Sequence, residues 1–309
     1  MKKTCMAACL AISLGFCSTA MAKDVDAIDV FAANSLTAIA YWDISSLVNN
    51  KMLSDLYKDD DGASAGLETL AKLGIDYKKD IKGVVAAFDL EMRYCCVVDA
   101  SKSLKSAWDK ELADASNLST YGSYQIASTE DVNAVLLSDK RMLVCGNGFD
   151  IHTVLDNVAK PKSLKNTDKV LYTAYSQTSA KADVRVAGKM VPTLRKDLAS
   201  ARLSYGDIVV SAADAEALSV SIDLKKGAVI DARVLGKSDK IAADAATILN
   251  KQIAPILSDP SLGEMGLGFL PSVLKIGSSA KYLTVNVDMN KDQVATIVAL
   301  LTAMQGGMK

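Results

Sequence analysis

Two stretches of the chain alternate apolar and polar residues without interruption. Leu218, Val220, Ile222 and Leu224 interleave with Ser219, Ser221 and Asp223, and Leu283, Val285 and Val287 interleave with Thr284, Asn286 and Asp288. Successive side chains of a strand point to opposite faces, so each stretch predicts a strand with one dry and one wet face. A parallel, doubly wound sheet is covered on both sides and calls for continuously apolar strands instead. The fold class that follows is α+β, with mixed or mainly antiparallel sheets and helices packed on one face.

The order of the remaining signals fits that class. A strand over 36–42 leads to a helix over 45–58, an acidic loop and a second helix over 63–74 that stops at Gly74. Strands follow at 82–89 and 93–99, then a helix with Leu104, Trp108 and Leu112 on one side. The hairpin AVLLS/RMLVCG runs into Asp150, a good N-cap, and a helix over 151–159 striped by Ile151, Val154, Leu155 and Val158. Further strands are predicted at 170–175, 183–186, 207–213, 217–224 and 229–235, with a helix near 191–200 whose first turn suits Pro192. A long helix over 239–258 carries Ile241, Ala245, Ile248, Leu249, Ile253 and Ile256 on one face. The hairpin SVLKI/KYLTVNVD then meets a capping box, Asn290 with Gln293, and a last helix. Both halves end in hairpin, capped turn and helix. That suggests duplicated α+β halves at 31–160 and 161–309, behind a short N-terminal segment at 23–30.

The first 22 residues read as a signal peptide. Lys2 and Lys3 supply the positive charge, Met6 to Phe16 the apolar stretch, and Ala20-Met21-Ala22 the small residues before a cut after Ala22. Acylation at Cys17 is disfavoured by the bulky Phe16 before it. Loss of the two lysines moves the net charge from -1 to -3. No later segment has the roughly 18 uninterrupted apolar residues of a membrane span. The expected location is therefore periplasmic or secreted, with no transmembrane segment after signal cleavage. Cys5, Cys9 and Cys17 leave with the signal. Of the remainder, Cys95 and Cys96 are neighbours on a strand and face opposite ways. Cys145 with Cys95 or Cys96 is a possible disulfide, permitted by an oxidising space.

Charge and composition narrow the function. Lys and Arg number 35 against 36 Asp and Glu, a poor electrostatic match to nucleic acid. The aromatic residues are not interleaved with basic runs, so no stacking platform is expected. There is a single histidine, His152, one helical turn from Asp156. No further His or Cys stands at ligand spacing around it, so no metal site is predicted. The run YKDDDGASAGLE places Asp59, Asp61 and Glu68 at calcium-loop positions, but Tyr57 occupies the first, where a carboxylate is needed. Gly263, Gly266 and Gly268 reverse the order of a dinucleotide fingerprint and follow no strand. Carboxylate pairs such as Glu111 and Asp114 are common, and none stands out as a catalytic couple. No catalytic residue and no cofactor are expected. Met265, Leu267, Phe269 and Leu270, in that glycine-rich loop, are the candidate contacts for a partner or apolar ligand.

The stretch LETLAKLGIDYKKDIKGVVAAFD resembles a pattern found in exported bacterial proteins of unknown function. There a helix, a Gly-x-Asp turn and a Lys-Asp-Ile lead-in precede a strand; here these are Leu67 to Gly74, Asp76, Lys79-Asp80-Ile81 and Val84 to Phe88. That resemblance implies a duplicated α+β build with no established activity, and it transfers no site residue. The expected function is that of an exported, non-enzymatic protein binding an unknown protein or an apolar ligand in the cell envelope. An apolar pocket would be lined by the helices at 239–258 and 291–304, with the 263–270 loop at its mouth. The alternatives are a structural or assembly component acting through surface contacts, and a hydrolase that works without histidine.

Overall fold

The computed structural model describes residues 28–32, 35–50, 75–91, 93–114 and 117–306, with backbone alone at 111–114 and 301–306. Outside them lie the signal segment with Cys5, Cys9 and Cys17, most of the 45–58 helix, the 63–74 helix and the loop of Asp59, Asp61 and Glu68. The side chains of Glu111 and Asp114 lie outside as well. The chain divides into two compact units, Met1–Lys169 and Val170–Lys309. Among the described residues no helix is long and apolar enough to cross a membrane.

The first unit contains β1 (Leu36–Asp43), α1 (Ile44–Val48), α2 (Tyr77–Asp80), β2 (Ile81–Asp89), β3 (Tyr94–Ala100) and α3 (Lys105–Asp114). It continues with β4 (Asn117–Tyr121), β5 (Tyr124–Ser128), β6 (Val132–Ser138), β7 (Arg141–Gly146), α4 (Ile151–Ala159) and α5 (Leu164–Thr167). Its strands run in the order β1-β2-β3-β7-β6-β5-β4, each pair antiparallel. Residues opposite each other in the ladder share a face. Tyr41, Val85, Val97, Leu143 and Val135 form one row, and Ala40, Ala86, Cys96, Val144 and Ala134 the row beside it on the other face. Both rows are buried, so this sheet is covered on both sides at its centre.

The second unit holds α6 (Lys169–Ser176), β8 (Val184–Lys189), α7 (Pro192–Asp197), β9 (Arg202–Tyr205), β10 (Ile208–Ser211), β11 (Ala215–Asp223) and β12 (Gly227–Gly236). After these come α8 (Asp239–Leu257), α9 (Ser261–Glu264), α10 (Leu270–Val273), β13 (Leu274–Ser279), β14 (Tyr282–Asn290) and α11 (Lys291–Gly306). The sheet runs β8-β11-β12-β14-β13, again antiparallel, and β9 and β10 pair apart from it. This is an α+β fold.

The 170–175 segment is a correction: it is the helix α6, not a strand. Leu171, Ala174 and Tyr175 are its buried residues, and that spacing is helical. The run is short, apolar and rich in β-branched and aromatic residues, and such runs suit either state until packing decides. Capped elements lie where expected. Asp150 accepts from the Thr153 N–H at 3.1 Å at the start of α4. Ser238 caps α8 through the Ile241 N–H, and Asn290 and Gln293 exchange bonds at the start of α11.

The alternating strand β11 reverses the expected burial. Its apolar Leu218 is 45% exposed, while Ser219 and Ser221 are only 3% exposed. The polar face is the covered one. Arg185 and Arg233, which share it by register, reach α6 and the turn after it: Arg185 lies 5.1 Å over the Tyr175 ring, and Arg233 donates to Gln177 at 3.0 Å. Asp231 takes two further bonds from the Arg233 guanidinium. The buried Asp183 carboxylate accepts from the Leu224 N–H and pairs with Lys225 at 2.9 Å. The Arg233 and Asp183 groups are thus matched by partners, which helps a polar face go inside.

Candidate functional site

The opposite face of the second sheet is apolar from edge to edge. The register aligns Val186, Val220, Ala232, Val285 and Ile276 across the five strands, with Val184, Ile222, Ile230, Val287 and Leu274 beside them. All of these are only half-buried. Where the strands approach α8, this face becomes the floor of a half-open cavity of about 560 Å³.

The sheet, α8 and the stretch from α7 through the β9–β10 hairpin build it. Gly188 of β8, Leu218 of β11, Val234 of β12 and Leu283 of β14 form the floor. Ile241, Ala242 and Ala245 of α8 form one wall, and the small Ala242 and Ala245 side chains leave the gap unfilled. Leu194 of α7, Leu198, and Leu203 and Val210 of the β9–β10 hairpin complete it. Val210 packs with Ala245 and Ile248 as a small core, against which Leu203, Ile241 and Leu283 rest. Two ties hold these walls in place: Gln252 of α8 donates to the Ser204 carbonyl at 3.0 Å, and Arg195 of α7 to the Ala213 carbonyl at 2.7 Å. The one uncharged side-chain hydroxyl of the lining, Ser211, is engaged by the Ala213 N–H. Apart from Lys189 and Arg202, this lining offers little directional chemistry and suits burial of hydrocarbon.

The expected lining was partly different. α8 contributes, but among the described residues none of 291–304 or of the 263–270 loop lines this cavity. Met265 is 48% exposed, and Leu267, Phe269 and Leu270 are half-buried. Two short helices, α9 and α10, flank the loop, and α10 packs against β13 and β14. Ile256, placed by periodicity on the buried stripe of α8, is 62% exposed.

Cys95 and Cys145 lie opposite each other in the β3–β7 ladder and form a disulfide, and Cys96, on the other face, is a buried free thiol. His152 sits on the exposed side of α4. Its ring stacks on Tyr121 with centroids 4.3 Å apart, and the Tyr121 hydroxyl donates to Asp156 at 3.0 Å. That bond, with some desolvation, raises the phenol above its ordinary value. The neighbouring Thr153 hydroxyl is bonded to Asp150. Among the described residues no cluster of His, Cys, Asp and Glu has the arrangement of a metal site. Gly62-Ala63-Ser64-Ala65-Gly66 has the G-x-S-x-G spacing of a nucleophile elbow, a motif the pattern reading passes over. It lies outside the described residues, and Asp59-Asp60-Asp61 precedes it where that motif calls for a strand.

No protein-family model matches the chain, and no curated protein matches its sequence. Solved structures do resemble it. Crystal form IV of TP0453 superimposes with a TM-score of 0.51 at 9% identity, covering 89% of this chain and 96% of that one. Crystal form III gives 0.50 at 10% identity, covering 89% and 98%. At such identity the likeness is one of fold.

Proposed function

We propose that this is an exported, non-enzymatic protein of the cell envelope that holds a small apolar ligand in its second unit. The observation that carries the reading is the cavity of about 560 Å³ between α8, the β9–β10 hairpin and the apolar sheet face. Its volume lies within the roughly 300–1,000 Å³ of small-ligand sites. Leaving Leu218 in water costs on the order of 1–2 kcal/mol of forgone burial, which an apolar occupant recovers. The signal pattern at 1–22 supports export. A second reading, assembly through surface contacts, draws on Ile256 and Met265, at 62% and 48% exposed; it requires oligomers in solution.

Titration with the neutral fluorophore N-phenyl-1-naphthylamine tests the ligand reading. Saturable binding is expected, weakened at least tenfold in Leu218→Glu and in Leu194→Gln, both at partly exposed positions where the fold tolerates change. No saturable binding, or binding indifferent to both variants, overturns it. Hydrolysis of a p-nitrophenyl ester that disappears in Ser64→Ala overturns the non-enzymatic part.

A further inference from the structure

We infer that the ligand is a single-chain amphiphile with an anionic head, its tail against the apolar face and its head at Arg202. The inference rests on the cavity reading above and names what fills the cavity. Among the described residues, two charged ones line it, Lys189 and Arg202, both cationic, and no carboxylate does. Arg202 is exposed and still lines the cavity, which places it at the rim. It begins β9 and pairs in register with Ser211, so it belongs to the hairpin that walls the cavity. The nearby acid Asp214 is committed to Lys237 at 2.7 Å. Arginine presents a planar fork of donors that fits a carboxylate or phosphate oxygen pair.

Size points the same way. At about 30 Å³ for each heavy atom, the share one water takes in the liquid, the cavity holds on the order of 19 heavy atoms. That is one long acyl chain with a small head, not a two-chain lipid. An apolar trough with a positive charge at one end takes up such a molecule lengthwise, its tail leaving water while its head stays hydrated at the rim.

Displacement of N-phenyl-1-naphthylamine from the whole protein by palmitic acid, palmitoyl lysophosphatidic acid and methyl palmitate separates the possibilities. At low ionic strength the two anions are expected to bind about fivefold more tightly than the ester, the size of a rim ion pair. The preference shrinks as salt is raised. The two anions tell a carboxylate head from a phosphate one. In Arg202→Gln the acid falls to the affinity of the ester, and in Arg202→Glu a cationic amphiphile, hexadecylamine, gains over the acid. Equal binding of acid and ester to the wild-type protein overturns the anionic head while leaving the apolar cavity standing. A preference for acid that survives Arg202→Gln overturns the placement at Arg202. Failure of every compound, the fluorophore included, removes the cavity reading and this inference together.

Discussion

Asn157 occupies a place where helical periodicity asks for an apolar residue. The stripe of α4 read from sequence runs Ile151, Val154, Leu155, Val158, yet Asn157 is buried and Val158 only half-buried. The reason is the N-terminal segment. The Asn157 amide donates to the carbonyls of Asp29 and Val30, and its oxygen accepts from the Lys162 N–H. Asp29 in turn accepts from the Leu164 N–H at 2.8 Å, so residues 28–32 are fastened with Ile28 and Phe31 fully buried. Asn157→Leu strands these backbone groups, and urea denaturation is expected to show a loss of about 1–3 kcal/mol. A change below about 0.5 kcal/mol contradicts the account. Asp150 gives a pH-dependent counterpart. The Thr153 hydroxyl, then its N–H, hold this carboxyl below its ordinary value of 3.8 against a desolvation that opposes them. The folded value is thus the lower one, so the stabilisation is complete above the unfolded pKa and fades as pH falls through the folded one. Asp150→Ala is expected to cost about 1 kcal/mol at neutral pH. The gap to wild type closes below about pH 4, as paired unfolding curves at neutral and acid pH will show.

At the scale of elements, the β3–β7 ladder joins strands far apart in sequence, and Cys95–Cys145 spans 50 residues within it. Closing so long a loop restricts the unfolded chain, and removal of such a bridge typically costs about 2–4 kcal/mol. Cys145→Ala is expected to fall in that range, with wild-type protein dropping by a similar amount in dithiothreitol and the variant indifferent to it. Sensitivity of the variant to the reductant contradicts the pairing. Which elements the sequence discloses follows from how much of their signal is local. α8 and α11 are marked by caps and by stripes several turns long, and the hairpins β6–β7 and β13–β14 by alternation. By contrast, α6 was legible only as an apolar run, because the contact of Tyr175 with Arg185 that seats it comes from another strand. The strands β4 and β9 gave no pattern: β4 is almost wholly exposed, and β9 has Leu203 as its one partly buried residue. An element with no buried stripe writes no hydrophobic period.

At the scale of the molecule, the two units share a plan and differ in how they finish it. Numbering five strands of each unit in chain order, β1, β2, β3, β6, β7 and β8, β11, β12, β13, β14, both sheets read first-second-third-fifth-fourth. That order supports the duplication expected from the hairpin–helix endings. In the first unit both faces are buried along the central rows; in the second the apolar face is half-open and the polar face is buried at β8 and β11. Alternation in β11 and β14 revealed which residues share a face. It could not reveal which face would be covered, since that depends on α6, α7 and the β9–β10 hairpin arriving from elsewhere in the chain. For the same reason the cavity was invisible in sequence: its lining is drawn from 188 to 283 in pieces of one to three residues. The contrast between units gives a prediction about the whole protein. A ligand that binds only the folded second unit stabilises it by about 2.7 kcal/mol at a hundredfold excess over its dissociation constant. Hydrogen exchange should then slow, with palmitic acid present, in β11, β12, the N-terminal half of α8 and the β9–β10 hairpin. The central strands of the first unit, β2, β3 and β7, should exchange as before. Protection spread evenly over both units, or confined to the first, would place the ligand elsewhere than on the open face.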